Sequence, residues 1–297
     1  LGFQSETFGV EGADENALPM DDLATSQAVY EHIEERFKAY RTSKDKNDLK
    51  IAVCGAGFTG IELLGELTQS LPKLQAKYQT PAAKVVCLER MPSILPMFTQ
   101  ELRDYALKFM EKNNVEMRLG SVIEAIKPGA VVYSDADKNE HEFTANTIIW
   151  TVGVSGSHVI ADSGFEQRRN RVVVKPDLSL EGHPEVFIVG DVAAVMDPES
   201  NRPYPTTAQI ALAAGEQAAK NIGALRHNQA TTTFNYESSG TVASLSDRDG
   251  IGQIFSSNKP VHGYAASALK KIITDRSLLE SAHLGTVFSK GRFDLYH

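Results

Sequence analysis

Three glycines, Gly55, Gly57 and Gly60, stand at G-x-G-x-x-G spacing inside "LKIAVCGAGFTGIELLGEL", between an apolar strand-like run and a helix-like run. The first position permits a tight turn off the strand, the second lets the backbone approach a pyrophosphate, and the third lets the helix pack on the sheet. Gly55, Gly57, Phe58, Thr59 and Gly60 would form this turn. Phosphate then sits on the helix N-terminus, where unpaired N–H groups and the helix dipole favour negative charge. A second strand, "KVVCLER", ends in Glu89, an acid placed to bond the adenosine ribose hydroxyls. A carboxylate there disfavours a 2'-phosphate and selects NADH over NADPH, while Arg90 beside it counts the other way. The interval from Gly60 to Glu89 exceeds the usual roughly twenty residues, because the first helix extends through "QSLPKLQAKYQ". Glu62, in the first helical turn, has two readings. It is either a carboxylate stabilised by the helix dipole or a group beside the nicotinamide end, facing whatever accepts the hydride.

A second nucleotide is suggested by "EVFIVGDVAAV", in which an apolar strand runs into Gly190 and Asp191. In flavoproteins with two dinucleotide sites such an Asp bonds the flavin ribityl chain, and a following helix aims its N-terminus at the ring. "PTTAQIALAAGEQAAKNI" supplies that helix, beginning near Thr207, Ala208 and Gln209. Its N-terminus would stabilise charge on the reduced flavin. Gly-Asp alone is a common strand-end turn; followed by Pro205 to Gln209, and downstream of a glycine fingerprint, it is far more specific.

The elements that must position these residues follow from the pattern. From Leu49 the chain reads strand, glycine turn, helix, strand, helix ("TQELRDYALKFMEKN"), strand ("VEMRL"), a β excursion around Val131 and Phe143, and a closing run "NTIIWTVGV". Before it, "TSQAVYEHIEERFKAY" reads as a helix capped by Thr25 or Ser26, and "RTSKDKND" as a polar linker. After it come "RVVV", "EVFIVGD", a helix from about Thr206 to Leu225, apolar runs near "TVASL" and "GIGQIF", and a helix from about Tyr264. The 297 residues suffice for two units, and the net charge of -8 argues against a general nucleic-acid binder. Residues 1–40 hold most of that charge, nine Asp/Glu against two Lys/Arg. Cys54 and Cys87 fall in buried strands and form no C-x-x-C pair, the histidines show no metal-ligand spacing, and Trp150 reads as core. No apolar run is long enough to span a membrane, and no leader is legible.

"CGAGFTGIELLGEL", "TIIWTVGV", "VFIVGD" and "PTTAQIA" together resemble the type II NADH dehydrogenases, single-subunit flavoenzymes that pass electrons from NADH to a quinone at the membrane surface without pumping protons. The resemblance covers essentially the whole chain from "LGFQSETFGVEG". It implies that an upstream segment carrying the FAD fingerprint is missing, so that this chain alone would hold little FAD and be inactive. The implied fold is α/β. A Rossmann-like NADH-binding domain (46–155) is inserted in the remaining parts of an FAD-binding domain (1–45 and 156–230), followed by a C-terminal α+β membrane- and quinone-associated region (231–297).

Carried over by the resemblance, Gly55, Gly57, Gly60 and Glu89 contact NADH, and Gly153 lies at the crossover near the cofactors. Gly190 and Asp191 hold FAD, Thr207, Ala208 and Gln209 lie at its flavin end, and Glu62 and Gln209 serve catalysis near the quinone. The family often shows A-Q-x-A-x-Q, whereas this chain has Ala213 at the last position. Implied partners are NADH, a quinone and the cytoplasmic face of the cell membrane, with no nucleic acid and a homodimer left open. The membrane contact would be a basic amphipathic helix with Leu269, Ile272, Ile273, Leu279 and Ala282 on one side and Lys270, Lys271 and Arg276 between them. The bland alternative is a helix packed on its own domain. Two further readings stand beside the quinone enzyme: a disulfide reductase of the same architecture, and a non-catalytic NAD-binding module.

Overall fold

Lys50–Cys54, four of whose five residues are buried, forms the middle of a five-stranded parallel sheet. The strand order is Leu18–Pro19, Thr147–Trp150, Lys50–Cys54, Lys84–Glu89, Val115–Leu119. Such strands are apolar throughout because both faces of a parallel sheet are covered. Ile51, Val53 and Cys87 face the core shared with helix Phe58–Tyr78, while Ala52, Cys54 and Leu88 face the core shared with the antiparallel excursion Val122–Lys127, Ala130–Ser134 and Glu140–Thr144. The computed structural model describes residues 1–238, 240–254, 259–281 and 284–291. Its mixed α/β architecture is the fold class expected from the sequence.

The chain divides into two compact units, 7–152 with 238–297, and 1–6 with 153–237. In the first, residues 7–45, which the sequence groups with the flavin half, pack with the glycine loop. Val29, Ile33 and Phe37 of helix Leu23–Ser43 join the core of Ile51 and Leu64. Asp22 caps this helix, correcting the expected Thr25 or Ser26. Thr25 N–H donates to Asp22 Oδ1 (2.8 Å) and Asp22 N–H to Thr25 Oγ1 (2.9 Å), a reciprocal capping box. The supposed linker after the helix is also structured. Asp48 is buried, accepting from Ser43 Oγ and Asn146 Nδ2 at 2.8 Å each and lying 3.6 Å from Arg36.

The C-terminal part of this unit is an antiparallel sheet, Thr241–Ser246, Asp249–Ile254 and Lys259–His262, and the helix Tyr264–Ser281. The third strand was not legible in the sequence. The sheet docks on helix Phe58–Tyr78 at Gly65, where an added Cβ would lie 2.2 Å from the Leu245 carbonyl oxygen. Helix Tyr264–Ser281 buries Ala266, Ser267 and Lys271, and exposes Ile272 and Leu279. That phase corrects the expected arrangement, in which the lysines faced outward. Ala282 lies outside the described residues.

The other unit is built around helix Ala208–Arg226, whose Ile210, Ala214 and Ala218 pack on Val172, Leu178 and Val195. The run "EVFIVGD" pairs only as His183–Phe187; a 3-10 turn follows at Gly190–Val192, and Ala193–Ala194 pairs in parallel with Val172–Val173. Asn221, buried on the helix, donates to the carbonyls of Asp177 and Thr232 at 2.9 Å each and so fixes the chain after the helix.

Candidate functional site

The glycine turn is set by its surroundings. Gly55 adopts φ +102, a left-handed conformation that glycine accepts without a Cβ penalty, and an added Cβ would meet Val152 at 2.9 Å. Gly60 packs against the turn itself, its Cβ position lying 2.0 Å from Gly55 O and 2.9 Å from Thr151 Oγ1. Gly57 is different: nothing lies within 4 Å of its Cβ position, and it is exposed. Two of the glycines are thus required by packing, and the third leaves the helix N-terminus open. Phe58 and Thr59 are the first residues of that helix.

Two side chains brace the turn from neighbouring strands. Thr151, just past Thr147–Trp150, donates its hydroxyl to Cys54 O (2.7 Å) and lies 3.1 Å from Gly55 O. Glu89, at the end of its strand, accepts from Ala56 N–H at 2.7 Å through Oε2 and from Met91 N–H at 2.8 Å through Oε1. Each carboxylate oxygen retains a lone pair, which suits a ribose diol with two donors. Replacing this group by an amide has a consequence the sequence could not show. In Glu89→Gln one N–H must face an –NH2, so NADH affinity should fall about tenfold or more, in line with the ~1–3 kcal/mol cost of an unpaired buried donor. NADPH should not gain. Fluorescence titration of both nucleotides checks this, and a rise in NADPH affinity would mean that ribose charge alone governs the site.

Glu62, one turn into the same helix, is neither a free dipole partner nor an empty-handed acid. Its Oε1 accepts from Ser244 N–H at 2.9 Å and lies 2.8 Å from Lys270 Nζ. The carboxylate thus links the glycine-loop helix to the C-terminal sheet and helix. Lys270 was expected at a membrane headgroup, and this partnership is what turns it inward.

In the other unit, Gly190 takes φ +76 and Asp191 opens onto a shallow cleft lined also by Arg171, Tyr204, Thr207 and Ile210. Thr207 caps the helix Ala208–Arg226, its Oγ1 accepting from Ile210 N–H at 3.4 Å. Ala208 and Gln209 are exposed on the first turn, and neither lines the cleft. Gly153, φ +70, begins this unit. A carboxylate, a guanidinium and the N-terminus of a 19-residue helix suit a flavin's ribityl chain and electron-rich ring. Arg171 escaped the sequence reading because no local motif marks it.

Neither cysteine is a redox group. Val53 pairs with Cys87 and Cys54 with Leu88, which puts the two thiols on opposite faces of the sheet. Burial pushes Cys54 up to about 12 and Cys87 well above its ordinary value. Among the described residues no group of His, Cys, Asp and Glu could hold a metal ion.

Residues 1–215 match the family model for pyridine nucleotide-disulphide oxidoreductases. The chain is 42% identical to the type II NADH:quinone oxidoreductase of Staphylococcus epidermidis, over 99% of this chain and 73% of that protein. Against the protein of the same name from Staphylococcus aureus it is 41% identical over the same shares. Among solved structures it is similar to NDH2 from Plasmodium falciparum in complex with NADH, with a TM-score of 0.83 and 15% identity over 94% of this chain and 73% of that one. The sulfide:quinone oxidoreductase of Aquifex aeolicus gives a TM-score of 0.69 and 18% identity over 97% and 70%. At such identities these two structures bear on the fold alone.

Proposed function

Because the chain belongs to the pyridine nucleotide-disulphide oxidoreductases and, among them, to the type II NADH:quinone oxidoreductases, we propose that it carries the NADH site and one wall of the flavin site of an FAD-dependent NADH:quinone oxidoreductase. The observation that carries this reading is the preset glycine turn, open at Gly57 and flanked by Glu89 with acceptor capacity to spare. Bound FAD would supply the redox chemistry, taking electrons from NADH and passing them to a quinone. The protein's part is to hold and orient. Gly55, Gly57, Phe58, Thr59 and Gly60 receive the pyrophosphate and Glu89 the ribose, while Gly190, Asp191, Thr207 and Arg171 face the flavin. Gly153 and Ala208 belong to this cofactor-binding set by position.

Reducing a quinone to a quinol consumes protons as well as electrons. The Glu62–Lys270 pair is the group we assign to that task, with a proton held on Lys270 Nζ beside a carboxylate that fixes it. Gln209, exposed at the start of its helix, is assigned to the quinone by its amide. In the full-length enzyme Lys270→Met should leave flavin reduction by NADH within about twofold and slow reoxidation by quinone about 10²-fold, as loss of a positioned proton donor does. Stopped-flow resolution of the half-reactions decides it. Equal loss in both would reduce the pair to a structural link. The disulfide-reductase reading is not favoured, since the relatives at 41–42% identity carry the quinone name.

Among the described residues no helix is long and apolar enough to cross a membrane. A peripheral contact at the cytoplasmic face, where NADH is supplied, is the reading we adopt. It is supported by exposed apolar side chains on the C-terminal helices, Ile272 (54%), Leu279 (45%) and Phe288 (75%). With Lys270 paired and Lys271 buried, apolar insertion rather than headgroup charge would dominate. Vesicle binding should therefore change little with added salt, and it should weaken in Ile272→Ser/Leu279→Ser; strong salt dependence would restore the basic-helix picture.

A further inference from the structure

We infer that Arg171 is the positioning residue of the flavin cleft, its guanidinium tying together the two backbone segments that bring Asp191 and the N-terminus of helix Ala208–Arg226 to the same opening. The inference rests on the flavin reading of that cleft.

Asp191 and Thr207 lie on separate stretches of chain. Two residues past Asp191, Ala193 O accepts from Arg171 Nη2 at 2.9 Å and Nε at 3.3 Å. Three residues before the capping Thr207, Tyr204 O accepts from the same Nη2 at 3.1 Å. One nitrogen thus bridges both walls, and the second contact from Nε makes the grip on Ala193 a chelate. Backbone pairing supports the span from behind: Tyr204 N–H donates to Val195 O at 2.9 Å, and Val172–Val173 pairs in register with Ala193–Ala194.

The apolar core explains why this arginine serves the cleft and not the fold. Val172, Ala193, Val195, Ile210 and Ala214 already pack into one cluster. What they leave at the open edge is a pair of carbonyls whose direction nothing apolar can fix. Arg171, half-buried there, is partly desolvated; burial lowers its pKa, against the opposing charge of Asp191, and a guanidinium stays protonated regardless. Removing it takes away the contacts that hold the Ala193 and Tyr204 carbonyls together and lets the Tyr204 to Thr207 segment swing relative to Asp191. Lysine would keep the charge but not the planar fork that makes three contacts at once.

The test uses the full-length enzyme containing this chain, stripped of flavin and titrated with FAD by fluorescence quenching. Arg171→Met, which keeps the apolar stem, should weaken FAD at least tenfold, and Arg171→Lys should fail to restore it. Flavin bound to Arg171→Lys should also show a less resolved long-wavelength absorption band, the mark of a ring held less uniformly. Asp191→Ala is the reference. If Asp191→Ala loses FAD while Arg171→Met binds it normally, the role assigned to Arg171 is overturned and the flavin site stands. If Asp191→Ala also binds FAD normally, the flavin reading fails and the inference with it. Full rescue by lysine would show that charge suffices and would overturn the clamp. Failure of both Arg171 variants to fold would equally overturn it, because the arginine would then belong to the fold.

Discussion

Gly60→Ala is expected to abolish NADH binding at accessible concentrations while leaving a folded protein. The new Cβ would lie 2.0 Å from Gly55 O and 2.9 Å from the Thr151 hydroxyl. Backbone φ is not the obstacle at this position; space is. Either the glycine turn moves off the helix or the helix moves off the sheet. The turn is the weaker party, since hydrogen bonds hold it, among them those from Thr151, to Glu89 and from Gly55 N–H to Leu88 O, whereas the helix buries Ile61, Leu63, Leu64 and Leu67. Displacing the turn swings Ala56 N–H away from Glu89 and misdirects the helix N-terminus at once. A loss of at least ~100-fold in Kd, about 2.7 kcal/mol, is the expected reading by calorimetry. Gly57→Ala is the informative companion. With nothing within 4 Å of the added methyl, apoprotein melting should not change, yet NADH should bind more weakly because the phosphate can no longer approach. NADH binding unaffected by Gly57→Ala would place the pyrophosphate elsewhere.

Gly65→Ala, a turn and a half further along the same helix, should fail in a different way. In an isolated helix this substitution would stabilise by about 1 kcal/mol. Here the methyl would sit 2.2 Å from Leu245 O and 2.7 Å from its carbonyl carbon. Overpacking typically costs ~1–3 kcal/mol, and backbone cannot rotate aside as a side chain can. The strand Thr241–Ser246 must therefore lift from the helix. Lifting it also breaks the Ser244 N–H bond to Glu62, whose other partner is Lys270. Limited proteolysis should cut first within residues 238–297 of this variant, with the glycine-loop sheet still protected. Uniform loss of protection over 7–152 as well would show that the C-terminal sheet and the parallel sheet unfold as one.

What was readable in the sequence was what is local. The fingerprint, Glu89 and the Gly190-Asp191 turn are all defined by spacing along a few residues; the first two fall at strand ends, and the third forms a 3-10 turn three residues past His183–Phe187. The cap of helix Leu23–Ser43 lies three or four residues before the expected one because Asp22 and Thr25 cap reciprocally, and either hydroxyl or carboxylate satisfies the pattern. Thr151 and Arg171 were missed, and Lys270 was given to a headgroup, because their partners are remote in sequence: Cys54 O for the first, Tyr204 O for the second and Glu62 for the third. The basic helix shows the converse error. Lysine among apolar residues at helical spacing reads as a membrane face. Which way that face turns is decided by the small residues Ala266 and Ser267, which let the helix close on the C-terminal sheet and carry Lys271 inside. The linker reading of "RTSKDKND" failed likewise, since the burial of Asp48 depends on Asn146, supplied by the far end of the β excursion.

The placement of the two cysteines has a practical corollary. Both thiols are fully buried, on opposite faces of the sheet, and held far from thiolate; Cys87 Sγ also donates to Gly55 O at 3.6 Å. Maleimides and iodoacetamides are electrophiles that only a thiolate attacks readily, so this chain is chemically quiet toward them while folded. A single cysteine introduced at Ile272 or Leu279 could then carry a spin label or an environment-sensitive dye without first removing the native pair. The glycine turn would keep its neighbour, and the probe would report from the exposed side of the C-terminal helix alone.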